Sequence, residues 1–149
     1  VKLEGAHLET VKKLVATGIP VMGHLGLTPQ SLHQLGGYRV QGRTDGDVIL
    51  AAALELEAAG AFAIVLELVP AELAARITAA LKIPTIGIGA GVNCDAQVLV
   101  WTDLMGMGKS APKLAKAYRN LRVEMLAATK EWSDDVIGGV FPGPEQTFN

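Results

Sequence analysis

The sequence has 149 residues and a single cysteine, Cys94. One thiol excludes an internal disulfide and a cysteine-rich zinc site, and it fits a cytoplasmic, reducing setting. Neither sign of charge is in excess. Thirteen basic residues face fifteen acidic ones, for a formal net charge of -2, and the longest basic run is the pair Lys12-Lys13. That removes the electrostatic case for a nucleic-acid partner. Long apolar runs are also missing. Glu, Gly or Pro interrupts each one well short of the roughly 18 residues that span a bilayer, and the opening residues do not read as a signal peptide. Methionine is absent from the start. The chain opens Val1-Lys2-Leu3-Glu4-Gly5, already strand-like, so further upstream sequence is expected.

What the chain does have is apolar mass. Half of it is hydrophobic and only 19% is charged, the reverse of a disordered composition. Its length suits one domain. Short β-like runs alternate with helical patterns. Val1 to Glu4 is the first strand candidate. Leu8, Val11, Leu14 and Val15 then share a helical face closed by Gly18. Ile19 to His24 reads as the second strand, followed by a polar, Gly-rich loop to about Gly46. Ile49, Ala53, Leu56 and Ala59 line a helix ended by Gly60. Phe62 to Leu68 is a nearly unbroken apolar run, as in a strand buried on both faces. Pro70 begins another helix, lined by Leu73, Ile77 and Ala80. Ile83 to Gly89 is the fourth strand, and Val98 to Trp101 reads as a fifth strand or part of a short helix. A last long helix is expected from about Pro112 to Glu131, with Leu114, Tyr118, Leu121 and Met125 on one face. Repeated βα units imply a parallel sheet under helices. A doubly wound sheet of five strands and the later part of a (βα)8 barrel both satisfy this pattern. The abrupt start favours the barrel.

In either architecture ligands meet the carboxyl ends of the strands. Lys2 and Glu4 lie two apart on one strand and therefore point to the same side. The pair suits an anionic substrate and a hard metal ion, or is a solvated strand end. His24 closes the second strand, as a donor to a substrate oxygen or as a packed residue. Glu67 interrupts apolar sequence. Desolvation there raises a carboxylate's pKa and makes it a better base near neutral pH. The structural alternative is an ion pair with Lys2 or Arg43. Gly87-Ile88-Gly89-Ala90-Gly91 lacks the dinucleotide spacing and reads as a tight turn. Gly36 to Arg43 lies in a polar loop long enough to suggest a functional role.

Taken together, Val1 to Gly5, Gly23-His24-Leu25-Gly26-Leu27-Thr28-Pro29-Gln30, Gly36-Gly37-Tyr38 to Gly42-Arg43, Val65 to Pro70, Ile86 to Gly91 and Gly139-Val140-Phe141-Pro142 resemble the ketopantoate hydroxymethyltransferases. The resemblance runs through almost the whole chain. It implies a (βα)8 TIM barrel of which residues 1–149 are the C-terminal part of a single domain, roughly the last five βα units. It also implies transfer of a hydroxymethyl unit from 5,10-methylenetetrahydrofolate to 3-methyl-2-oxobutanoate, giving 2-dehydropantoate for pantothenate synthesis in the cytoplasm. Mg2+ is expected to chelate the oxo acid. By the same resemblance Glu4 is a metal-site residue, Lys2 and His24 bind substrate, and Glu67 is the proton acceptor. A homo-oligomer is expected, with small-molecule partners and neither nucleic acid nor membrane.

The sequence also departs from the family pattern. Two aspartates that complete the family's metal site belong to earlier strands, and Asp45, Asp47, Asp95 and Asp103 stand in the wrong context to replace them, so the isolated chain is expected to be inactive. The loop after Arg43 is slightly short, and Glu145 to Phe148 replaces the family's usual tail. Two alternatives stand beside this reading. One is another Mg-dependent enzyme forming or breaking a carbon–carbon bond of an oxo acid. The other is an inactive half-barrel that only assembles with partner chains.

Overall fold

The computed structural model describes residues 1–148, which form two compact units, Val1–Val98 and Leu99 onward. In the first unit β1 (Lys2–Glu4) leads to α1 (Leu8–Ala16), β2 (Met22–Gly26), α2 (Gly46–Ala58), β3 (Ala63–Glu67), α3 (Ala71–Ala80), β4 (Thr85–Ile88) and β5 (Ala96–Gln97). A single 3₁₀ turn, Pro29–Ser31, interrupts the long loop between β2 and α2. The five strands make one sheet in the order β1-β2-β3-β4-β5, and every neighbouring pair is parallel. A doubly wound sheet reverses its order at a switch point. Serial order without reversal is the winding of a barrel, so the α/β expectation holds and the strand order decides between its two forms.

Side chains alternate across each strand, so the register sorts them by face. Leu25 pairs with Leu66, and Gly23 with Ile64. These residues face the helices and join Val11, Val21, Ala53, Leu56, Leu73, Ala74 and Ile77 in the core. Leu56, Ile64, Leu66 and Ile77 are wholly inaccessible, and each contributes roughly 1.5–3 kcal/mol of transfer free energy. The opposite face carries Lys2, Glu4, Met22, His24, Val65 and Glu67, which the register aligns across three adjacent strands.

Several boundaries differ from the sequence expectation. β2 begins at Met22, after Pro20, and runs to Gly26, so His24 is the middle of the strand and not its end. The fifth strand is Ala96–Gln97, while Trp101–Leu104 is a short helix, α4. In the second unit the long helix α5 is Leu121–Ile137, displaced from the expected 112–131 span. The amides of Tyr118 and Leu121 instead donate to the carbonyls of Leu104 and Met105, at 2.8 and 3.0 Å. Those bonds between separate segments hold the preceding stretch out of a helix. No residue of α5 is buried.

Candidate active site

Lys2 and Glu4 of β1, His24 in the middle of β2 and Glu67 at the end of β3 come together on one face of the sheet. Glu4 lies opposite His24 in the β1–β2 register, and Glu67 lies opposite Gly26 in the β2–β3 register. The Lys2 ammonium sits 3.5 Å from Glu4 Oε1 and 2.8 Å from His24 Nδ1. An ammonium has no lone pair to accept with, so Nδ1 must be the acceptor. The ring proton therefore resides on Nε2, which faces Glu67 Oε2 at 3.1 Å. The approach does not align into a hydrogen bond, and Nε2 is left as a buried donor without a formed partner. Such an orphan costs about 1–3 kcal/mol, a cost that a ligand oxygen placed between His24 and Glu67 relieves.

The electrostatics follow from this packing. His24 is 3% exposed. Burial and the adjacent Lys2 ammonium hold its pKa below the ordinary 6.5, with Glu4 opposing, so the imidazole is neutral. Burial, and then the like charge of Glu4, raise the Glu67 carboxyl above its ordinary 4.5, with Lys2 opposing. The ion pair considered for Glu67 does not form: neither Lys2 nor Arg43 is its partner, and the nitrogen nearest its carboxylate, His24 Nε2 at 3.1 Å, belongs to a neutral ring.

Backbone features that the residue types do not announce fix the Glu4 carboxylate and the main chain that carries Glu67. The Gln30 amide, at the start of the long loop, donates to Glu4 Oε2 at 3.0 Å. The Leu27 amide donates to the Glu67 carbonyl at 2.8 Å, and the Gln41 amide to the Leu68 carbonyl at 2.9 Å. The loop between β2 and α2 is thus pinned beside both acids. Leu68, directly after Glu67, takes a left-handed φ of 47°, a strained conformation for leucine. Gln30 lay within a motif singled out in the sequence, but a backbone donor leaves no residue signature. Leu68 gave no signal at all.

Two of the aspartates excluded as metal ligands are engaged elsewhere. Asp47 pairs with Arg76 at 2.6 Å, and Asp95 accepts from the Thr85 amide and hydroxyl at 2.8 and 3.0 Å. Among the described residues no group of three or more His, Cys, Asp and Glu gathers as a ready cation cage. Gly91 ends the glycine-rich run with a φ of 81°, and a Cβ there would lie 2.5 Å from Ala71 Cβ. That is the close chain packing of a turn.

A serial parallel sheet with a Lys–Glu–His–Glu cluster at its C-terminal edge defines an α/β protein of barrel winding, with its polar residues where such folds place their ligand sites. Residues 1–144 match the family model described as ketopantoate hydroxymethyltransferase, and the chain belongs to that family. It is similar to proteins named 3-methyl-2-oxobutanoate hydroxymethyltransferase. The one from Frankia alni is 57% identical over 99% of this chain and 50% of the relative. The one from Moorella thermoacetica is 57% identical over 99% of this chain and 57% of the relative, and that from Thermobifida fusca 50% identical over 99% and 54%. The chain spans about half the length of the curated relatives it matches.

Proposed function

We propose that this chain carries the proton-transfer part of a hydroxymethyltransferase site, acting on 3-methyl-2-oxobutanoate with 5,10-methylenetetrahydrofolate as one-carbon donor, in cytoplasmic pantothenate synthesis. The relatives' names support the reaction, and the cluster supports the roles. Lys2 supplies a cation for the substrate's carboxylate. Glu67 removes the proton from C3, and burial keeps its carboxylate basic. The His24 Nε2–H donates to the oxygen that gains charge as that proton leaves. The new carbon–carbon bond joins C3 to the folate's methylene carbon. The methylene carbon's bonds to N5 and N10 break, one water gives it the hydroxyl, the proton from C3 and the remaining water proton end on the two nitrogens, and tetrahydrofolate departs.

Glu4 is the residue here that would hold Mg2+. A carboxylate oxygen is the hard donor that Mg2+ prefers, and this ion commonly takes only one or two protein carboxylates beside water and substrate oxygens. Oε2 accepts from the Gln30 amide and Oε1 faces the Lys2 ammonium at 3.5 Å, so the ion would share this carboxylate with both. When bound, the ion supplies Lewis-acid polarisation of the keto group, which acidifies C3–H.

The observation that carries the reading is the burial of Glu67 against a neutral, Lys2-oriented imidazole whose donor lacks a partner. Glu67→Gln, in a form completed to the length of the relatives, is expected to lower turnover by about 10²–10⁴-fold. Unchanged turnover would overturn the assignment.

A further inference from the structure

The loop between β2 and α2 contains a second feature that the proton-transfer cluster does not use. Tyr38, Arg39, Val40 and Arg43 line a cavity of about 450 Å³. Two arginines line it, and among the described residues neither has an acidic partner within ion-pair distance. Arg76, beside the adjacent cavity that Arg43 also lines, is instead neutralised by Asp47 at 2.6 Å. Tyr38 is 76% exposed, an aromatic residue at the same mouth.

The position of this cavity in the fold is fixed. The Gln41 amide binds the Leu68 carbonyl, one residue beyond Glu67. Arg39 and Arg43 each lie two residues from Gln41, so their backbones are within about 7 Å of that anchor along the chain. Gly42 takes a φ of 81°, and a Cβ there would lie 2.5 Å from Leu73 Cδ2 and 2.9 Å from Ile49 Cδ1. The segment between the two arginines is thus packed hard onto the first turns of α2 and α3. Its guanidinium groups are carried on a braced loop beside the end of β3.

We propose that Arg39 and Arg43 bind the carboxylates of the folate's glutamate tail, with the Tyr38 ring against the aminobenzoyl group. This rests on the transferase reading above. The chemistry selects the ligand. A guanidinium forks onto a carboxylate with two parallel hydrogen bonds, and two unpaired guanidinium groups call for a ligand with two carboxylates. The oxo acid has one, already matched to Lys2. The glutamate tail has two, joined to an aromatic ring that suits the exposed face of Tyr38. Placing the tail beside β3 leaves the pterin end, with its one-carbon unit, free to lie over Glu67.

The test uses a form completed to the length of the relatives, with initial rates measured against two donors, methylenetetrahydrofolate and methylenetetrahydropteroate, which lacks the glutamate. Arg39→Gln and Arg43→Gln are each expected to raise KM for the folate about 10-fold or more, the loss typical of a charged hydrogen bond. KM for the oxo acid and kcat at saturation should stay near wild type. The wild type should prefer the folate, and the double variant should treat the two donors alike. Exchange of the oxo acid's C3 hydrogen with deuterated water, followed without any folate, should be unaffected by these substitutions. Unchanged folate KM in both variants, or an equal rise for both donors, would overturn the tail site. Loss of the folate-free exchange in the arginine variants would also overturn it, by showing that the loop serves the oxo acid. Failure of Glu67→Gln to slow that same exchange would count against the base assignment and leave the tail site standing.

Discussion

Asp95 and Glu67 are both carboxylates beside one sheet, yet their surroundings hold the proton in opposite ways. Asp95 accepts from the Thr85 amide and hydroxyl, and these bonds, the amide first, draw its pKa below the ordinary 3.8. A depressed folded-state pKa stabilises the fold above the unfolded value, and that contribution is lost as pH falls through the folded value. Asp95→Asn is therefore expected to lower Tm near neutral pH and to flatten the fall of Tm as pH drops below the ordinary 3.8. A variant whose acid limb matches wild type would show that Asp95 is not held this way. Glu67 runs the other way. Its raised pKa favours the neutral carboxyl, stabilises the fold below the ordinary 4.5, and loses that contribution as pH rises through the folded value. Glu67→Gln should accordingly be no less stable than wild type at neutral pH. At this scale the sequence was informative about type and poor about partnership. Strand alternation placed Lys2 and Glu4 on one side, and an acid amid apolar residues marked Glu67. The ring tautomer of His24 depends on Lys2, 22 positions away, and no local pattern encodes it.

Among the elements, the β2–β3 contact positions the site. Gly26 ends β2 with a φ of 90°, and a Cβ there would lie 2.1 Å from the Glu67 carbonyl oxygen. Gly26→Ala should cost about 3 kcal/mol or more through strain and overlap and displace Glu67. Chemical denaturation checks the first effect and turnover the second, and a variant within 1 kcal/mol (about the size of an ordinary single substitution) would contradict this packing. The helices α1, α2 and α3 were legible because their apolar faces repeat with helical period and end at Gly18, Gly60 and a strand. The fifth strand was not legible. Hydrophobicity favours Val98 to Trp101, but β5 forms at Ala96–Gln97 because Ile86 and Gly87 of β4 present the ladder there, and pairing depends on tertiary context. The spacing of Leu114, Tyr118, Leu121 and Met125 suggested a helix from Pro112. It failed for a similar reason, since the amides of Tyr118 and Leu121 are bound to α4 and the residue after it.

At the level of the whole molecule, serial strand order and the family match agree; the family was visible as motif order in the sequence, whereas the strand order was not, since a doubly wound sheet fitted the same βα pattern. Among the described residues β1 and β5 each pair on one side only, and α5 leaves Val123, Met125, Leu126 and Trp132 exposed. Unpaired strand edges and apolar helix surface favour association. The 149-residue chain by itself is expected to associate in light scattering, and a stable monomer at high concentration would contradict that. The central claim is that Glu67 takes a proton from C3 of the oxo acid, and hydrogen exchange measures it without the rest of the reaction. In a form completed to the length of the relatives, with Mg2+ and 3-methyl-2-oxobutanoate in deuterated water and no folate, C3 should gain deuterium at a rate that Glu67→Gln lowers about 10²-fold or more. The rate should also decline as pH drops through a value above the ordinary 4.5. Equal exchange by wild type and Glu67→Gln would contradict the account.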